Sequence, residues 1–261
     1  MILLKQIDII ASTDSHYPFS LPWFKQSFSL AFDSPVTLIV GDNGTGKTTL
    51  MEILSKSLNL YRIHSEGFDD SMMIEAAKKI KPQYSLIHPQ GFFFASRDFI
   101  TYLHQLLKTK NESIQELKRI EKEYVHRSNY AKMMAKTPHS KTINEVHDLY
   151  GHDLLERSHG EAYLDFFASR LKSKQIYLLD EPETPLSMQN QLTLMAMIKN
   201  AMLQDCQFII ATHSPIIMAF PQAQIYEINE LGIQVKKYED LESIQLLRQF
   251  INQPEQFTRH L

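Results

Sequence analysis

Gly41-Asp42-Asn43-Gly44-Thr45-Gly46-Lys47-Thr48-Thr49 is the stretch on which the fold turns. It matches G-x-x-x-x-G-K-[ST], a loop whose glycines let successive backbone N–H groups curl around a phosphate chain. Its flanks supply the context such a loop requires. Val36-Thr37-Leu38-Ile39-Val40 is a continuous β-branched run, which predicts a strand buried on both faces. A helical pattern follows from about Thr48 to Leu58. A helix N-terminus there adds its partial positive charge to the phosphate site. In that arrangement Lys47 reaches the β- and γ-phosphates of a nucleotide, and the Thr48 hydroxyl ligates Mg2+.

A second signal lies in Ile176-Tyr177-Leu178-Leu179-Asp180-Glu181. An apolar strand ending in paired carboxylates places them at the C-terminal edge of a sheet, where ligands bind in open α/β folds. Asp180 is expected in the Mg2+ shell. Glu181 is expected to polarise the attacking water, because phosphoryl transfer asks mainly for positioning and charge stabilisation. Pro182 then turns the chain into a loop. Ser158-His159-Gly160-Glu161 stands 22 residues before Asp180 and by itself reads as a helix N-cap with a capping-box glutamate. Thr212-His213-Ser214-Pro215 follows another strand, and His213 there would sense a γ-phosphate or orient water; a lone histidine is otherwise structural. The other ten histidines have no metal-ligand spacing, so no zinc site is expected.

Outward from these motifs, strands and helices alternate. Residues 1 to 35 read as short strands broken at Tyr17-Pro18 and Leu21-Pro22, with Phe28 to Phe32 alternating at period two. Gly91 to Ala95 reads as a strand, and residues 60 to 90 are mixed. From Asp98 to Arg127 the pattern is helical and polar, with Leu103, Leu106 and Leu107, then Ile114, Leu117, Ile120 and Tyr124, at three- and four-residue steps. Residues 128 to 157 carry no strong regular signal. A helix is expected from Gly160 to Leu171, strands at Gln175–Leu179 and Phe208–Ala211, and a helix between them from Ser187 to Leu203. That alternation implies a parallel sheet of crossover units.

Composition narrows the class. With 261 residues, 43% hydrophobic and 22% charged, the chain can bury a sizeable core and is no disordered tail. A formal net charge of -3 argues against a wholesale nucleic-acid coat. Residues 97 to 141 nevertheless hold ten Lys/Arg against five Asp/Glu, a local charge of +5 over a remainder of -8. The plain reading is a solvated helical face; the alternative is a contact surface for nucleic acid or an effector protein. The one cysteine, Cys206, sits in an apolar run, which fits buried core, excludes a disulfide framework and suits a cytoplasmic setting. No segment approaches the roughly 18 apolar residues that span a bilayer. The start lacks the features of a signal peptide, so no direct membrane insertion is expected.

The order of these motifs resembles that of the ABC-type ATPases. Gly41 to Thr48 looks like Walker A with its Asn-Gly-x-Gly-Lys core, and Ser158-His159-Gly160-Glu161 like a variant signature motif. Ile176 to Glu181 looks like Walker B with the catalytic glutamate, Leu186-Ser187 falls at the D-loop, and His213 at the switch histidine. Within that superfamily the chain is similar to small stand-alone bacterial ATP-binding proteins of AAA type. The shared features are Ser-His-Gly-Glu, Asp-Glu-Pro-Glu, Thr-His-Ser-Pro and a tail running from Tyr238-Glu239-Asp240 to Arg259-His260-Leu261. Wider relatives are RecF-like and SMC-like DNA-maintenance ATPases and several anti-phage defence ATPases.

The resemblance implies an α/β P-loop NTPase of ABC-ATPase type. Its core sheet would be mostly parallel, with an N-terminal antiparallel β region and a helical subdomain insert. One ATPase domain would cover 1–261, with core at 1–95 and 160–261 and the helical subdomain at 96–159. It implies ATP and Mg2+ as cofactors and an ATP-dependent homodimer that sandwiches two nucleotides. Gly41, Asp42, Asn43, Gly44, Thr45, Gly46, Lys47, Thr48 and Thr49 would bind the nucleotide, completed by Ser158 and Gly160 of the second copy. Thr48 and Asp180 would hold Mg2+, and Lys47, Glu181 and His213 would be catalytic. Tyr17, Phe19 and Trp23 are candidates to stack on adenine, each with core packing as the plainer role.

Several positions depart from the transporter pattern. His159 stands where transporters carry Gly, Glu183 where they carry Thr or Ser, and Ser187 where the D-loop Asp is expected. No Q-loop glutamine follows Phe92-Phe93-Phe94; the chain runs on as Ala95-Ser96-Arg97. That loop couples transporters to their membrane domains. About 110 residues separate Lys47 from Ser158, enough for a compact helical subdomain and too few for a long coiled-coil arm. The expected activity is therefore that of a soluble ATPase that drives or regulates a partner in DNA maintenance or phage defence. The alternatives are the ATP-binding subunit of a membrane transporter, or an ATP-gated binding module with little turnover.

Overall fold

The computed structural model describes residues 1–62, 70–85, 88–150 and 159–259. The chain begins with β1 (Leu4–Ile9), β2 (Phe28–Ala31), β3 (Val36–Gly41), α1 (Lys47–Ser57), β4 (Tyr61–Arg62), α2 (Asp70–Ala77), β5 (Ile80–Tyr84) and β6 (Gly91–Ala95). Three helices follow: α3 (Ser96–Glu123), α4 (Asn129–Tyr150) and α5 (His159–Arg170). The last part holds β7 (Ile176–Asp180), α6 (Met188–Met202), β8 (Gln207–Ala211), α7 (Pro215–Met218), β9 (Gln224–Asn229), β10 (Gly232–Lys236), α8 (Glu242–Asn252) and α9 (Pro254–Thr258). Two compact units result, one of residues 1–96 with 171–261 and one of residues 97–170.

The first unit is built on a seven-stranded sheet in the order β10-β9-β3-β8-β7-β6-β4. Its pairs are parallel except β9 with β10. Every residue of β7 and β8 is buried, as are Val36 to Val40 of β3, which is why these strands read as unbroken apolar runs. The register puts Ile39 beside Ala211, Ala211 beside Asp180, and Asp180 beside Ala95. Four strands thus end in line, and the segments leaving β3, β6, β7 and β8 emerge together at one edge, the one after β6 being the start of α3.

A second, antiparallel sheet in the order β2-β1-β5 carries the N-terminal region. Pro82 lies in β5, an edge strand of this sheet, where a residue without an N–H is tolerated. Leu4, Ile7 and Ile9 of this sheet share one apolar cluster with Leu50, Ile53 and Leu54 of α1 and Phe93, Leu178 and Ile209 of the large sheet. Between the sheets, the buried Gln207 Oε1 accepts the N–H groups of Leu3 and Leu4 at 2.9 and 2.8 Å, and its Nε2 donates to the Leu4 carbonyl at 3.0 Å. With both its oxygen and its nitrogen bonded, the amide costs little to bury and locks β1 against the start of β8.

The second unit is helical. Phe99 of α3 meets Tyr163 and Phe166 of α5 edge-on and tilted, with ring centroids 5.2 and 5.3 Å apart. These contacts tie α5 to α3 within the unit of residues 97–170. Lys136 of α4 reaches Glu121 of α3 at 2.7 Å. Helix α4 occupies a region in which the sequence shows no periodic pattern, and it contains Pro138. On either side of that proline, the hydroxyls of Thr137 and Thr142 donate to the carbonyls of Met133 and Pro138. Among the described residues no helix is long and apolar enough to cross a membrane.

Candidate functional site

The loop from Gly41 to Gly46 joins β3 to α1 in a conformation only glycine adopts freely. Gly41 has φ of 144°, and a Cβ there would lie 2.2 Å from the Ile228 carbonyl oxygen of β9. Gly46, at φ 93°, is the N-cap of α1, and a Cβ on it would press against Leu21 and Trp23. Trp23 Nε1 also donates to the Thr45 carbonyl at 3.2 Å, so the N-terminal region buttresses the loop from outside.

Within the loop, Lys47 Nζ donates to the carbonyls of Gly41 and Asp42 at 2.9 and 2.8 Å. Burial lowers the Lys47 ammonium from its ordinary value, opposed by the carboxylates of Glu181 and Asp180. Thr48 Oγ1 donates to Asp180 Oδ1 at 3.2 Å, which joins the start of α1 to the end of β7. A cavity of about 290 Å³ opens here, lined by Tyr17, Asn43, Lys47, Thr48, Glu181 and His213.

Glu181 follows β7 in the left-handed region, at φ 49°. For a residue with a Cβ this costs about 1–2 kcal/mol. Three hydrogen bonds hold it there. Its N–H donates to the Ala211 carbonyl at 2.9 Å, and its own carbonyl accepts from Ser96 Oγ at 2.6 Å and from Thr184 N–H at 3.1 Å. The carboxylate stays half-exposed, with Oε1 3.8 Å from His213 Nε2, too far for a hydrogen bond. His213 Nε2 has no hydrogen-bond partner among the described residues. Burial and the Lys47 charge push its imidazole below the ordinary value.

Five of the expected residues therefore meet at one sheet edge: Lys47, Thr48, Asp180, Glu181 and His213. Gly160 lies in the first turn of α5, in the second unit, and Ser158 lies outside the described residues. Phe19 and Trp23 are buried in the core, whereas Tyr17 is 51% exposed beside the loop, with its hydroxyl bonded to Thr49 Oγ1. Ser187 N-caps α6, its Oγ accepting from Asn190 N–H at 3.3 Å. Sequence reasoning missed Ser96, which supports Glu181 from the start of α3, and Gln191, which bonds Ser214. Among the described residues there is no cluster of three or more His, Cys, Asp or Glu suited to a metal ion.

A family model of the AAA domain matches residues 20–256. No curated protein matches the sequence. Among solved structures, the Smc head domain of Pyrococcus furiosus, with an extended coiled coil and bound to the C-terminal domain of ScpA, is 12% identical with a TM-score of 0.50; the match covers 96% of this chain and 100% of that one. A nucleotide-free ATP-binding cassette from an ABC transporter is 13% identical with a TM-score of 0.51; the match covers 94% of this chain and 95% of that one. At such identity the likeness is one of fold: the α/β architecture is that of P-loop ATPases of the ABC and SMC type.

Proposed function

Because the chain belongs to the AAA domain family, we propose that it binds ATP in the cavity at the sheet edge and hydrolyses it between two copies of itself. The observation that carries this reading is the meeting of Lys47, Thr48, Glu181 and His213 around one cavity, with Asp180 bonded to Thr48. The amides of the Gly41 to Gly46 loop and the N-terminus of α1 would cradle the phosphates, with Lys47 turning from its loop carbonyls to the β- and γ-phosphates. Thr48 and Asp180 present a hydroxyl and a carboxylate 3.2 Å apart, hard oxygen donors of the kind Mg2+ takes alongside phosphate oxygens. When bound, the ion would neutralise charge on those oxygens. Glu181, half-exposed toward the cavity, would orient the attacking water, and His213 would face the terminal phosphate. Tyr17 is the one adenine candidate left exposed at the loop.

The signature residues Ser158 and Gly160 of a second copy would close the site, so that hydrolysis opens the dimer for a partner to read. Replacing Glu181 with Gln removes the group that orients water and leaves the phosphate cradle intact. Phosphate release should fall about 100-fold or more, with ATP binding retained and a dimer accumulating in ATP. A variant that stays monomeric in ATP and hydrolyses like the native chain would sink the assignment.

The α4 face supports a nucleic-acid partner, in DNA maintenance or phage defence, over a membrane permease. On α3, Lys108 and Arg119 face acidic neighbours one turn away. From Tyr124 to Asn144 the chain holds Arg127, Lys132, Lys136 and Lys141 and no Asp or Glu. Lys132, Lys136 and Lys141 line a groove of about 740 Å³ with Ser140 and Asn144, a set of donors suited to a phosphodiester backbone. Where a transporter cassette would carry its coupling glutamine, Ser96 is committed to the Glu181 carbonyl.

A further inference from the structure

Glu183 departs from the transporter pattern, and at that residue two loops of the site are fastened together. Its Oε1 accepts the backbone N–H groups of His213 at 2.6 Å and Ser214 at 3.1 Å. Gln191 of α6 extends the fastening. Ser214 Oγ donates to its Oε1 at 2.5 Å, and its Nε2 donates to the Leu186 carbonyl at 3.2 Å. Ser214 Oγ also accepts from the N–H groups of Ile216 and Ile217, so the start of α7 belongs to the same network. Glu183 Oε2 is buried with no hydrogen-bond partner among the described residues. A buried carboxylate costs desolvation that a Thr or Ser would avoid. Two charge-assisted bonds to backbone N–H groups, each stronger than a neutral pair, offset that cost. The carboxylate also spans a gap of 30 residues in sequence, from the loop after β7 to the loop after β8.

We propose that Glu183, backed by Gln191, is a positioning residue for ATP hydrolysis. It holds the loop that carries Glu181 and the loop that carries His213 in one fixed arrangement, with His213 Nε2 3.8 Å from Glu181 Oε1. This inference rests on the ATPase reading above and deepens it. Glu183 acts through His213 and does not hold the nucleotide, whose phosphates sit on the separate Gly41 to Thr49 loop. Its loss should therefore slow the chemical step and leave ATP binding nearly unchanged.

The test uses the full chain as native protein and as Glu183→Ala, Glu183→Gln and Lys47→Ala variants. Steady-state phosphate release from Mg-ATP gives kcat and KM, and amide hydrogen exchange reports on His213 and Ser214. Glu183→Ala should lower kcat about 10- to 100-fold, the scale of a small misplacement of reacting groups. KM should stay within about threefold, the mark of an interaction made mainly in the transition state. Glu183→Gln keeps a carbonyl oxygen for the same two N–H groups and should restore most of kcat. Exchange at both amides should quicken in Glu183→Ala and stay slow in Glu183→Gln. The proposal is overturned if Glu183→Ala turns over like the native chain, if KM rises while kcat holds, or if Gln is as poor as Ala. Unchanged protection of both amides in Glu183→Ala overturns it even where kcat falls. Failure of the underlying ATPase reading looks different: the native chain then releases phosphate no faster than Lys47→Ala.

Discussion

At His213, burial first and the Lys47 ammonium second push the imidazole below 6.5, while Glu181, Glu183 and Asp42 draw it back up. A histidine whose folded value lies below its unfolded one takes up more protons when unfolded. Its contribution to stability is complete above 6.5 and is lost as pH falls through the depressed value. In the chain without nucleotide, the ring protons of His213 should therefore titrate by NMR with a midpoint below 6.5. Lys47→Met should raise that midpoint, since it removes a repelling charge, and Glu181→Gln should lower it. A native midpoint at or above 6.5 would contradict the arrangement. At this scale the sequence was legible where chemistry is contiguous: Gly41 to Thr49 and Asp180-Glu181 are runs that can be read from one segment. Ser96, Glu183 and Gln191 were not legible as site residues. Each works by a hydrogen bond to a loop that only the sheet brings near, and none has a spacing that points to its partner.

Among the elements, Gln207 of β8 joins β1 through hydrogen bonds to the backbone of Leu3 and Leu4. Gln207→Leu keeps the volume nearly constant and leaves the Leu3 and Leu4 N–H groups without their acceptor. Two orphaned buried donors should cost about 2–4 kcal/mol, read as a lower urea midpoint at unchanged slope. A loss below about 0.5 kcal/mol, the scale of a neutral surface change, would show that β1 is held otherwise. The elements that the sequence reveals include those with an unbroken apolar run or a clear period, β2, β3, β6, β7, β8, α1 and most of α3, and the helices α5 and α6. Helix α4 has neither. Its apolar residues, among them Met133, Met134, Ile143 and Leu149, keep no sustained helical spacing and Pro138 argues for a break, so it lacks the apolar stripe by which a helix is recognised. The region from 60 to 90 read as mixed because β4 has only two residues and β5 carries Pro82.

For the molecule as a whole, the net charge of -3 hides a divided surface, and salt can expose the division. Nucleic-acid binding through the α4 groove would release counterions from the phosphate backbone, so affinity must fall as salt rises. On duplex DNA, each lysine in contact contributes about 0.9 to the slope of log K against log salt. Replacing Lys132, Lys136 and Lys141 together with Gln should therefore flatten the slope by up to about 2.7 if all three touch phosphate. Lys136 also pairs with Glu121 of α3, so its loss leaves that carboxylate without this partner and adds repulsion in the same direction. Replacing Lys108, Lys110 and Lys118 of α3 is the matched control: it removes the same charge away from the groove and should change the slope by much less. Equal changes from the two sets would mean that DNA responds to overall charge and not to this face. Salt-independent affinity in the native chain would mean that the groove makes no phosphate contact, because such contacts release counterions.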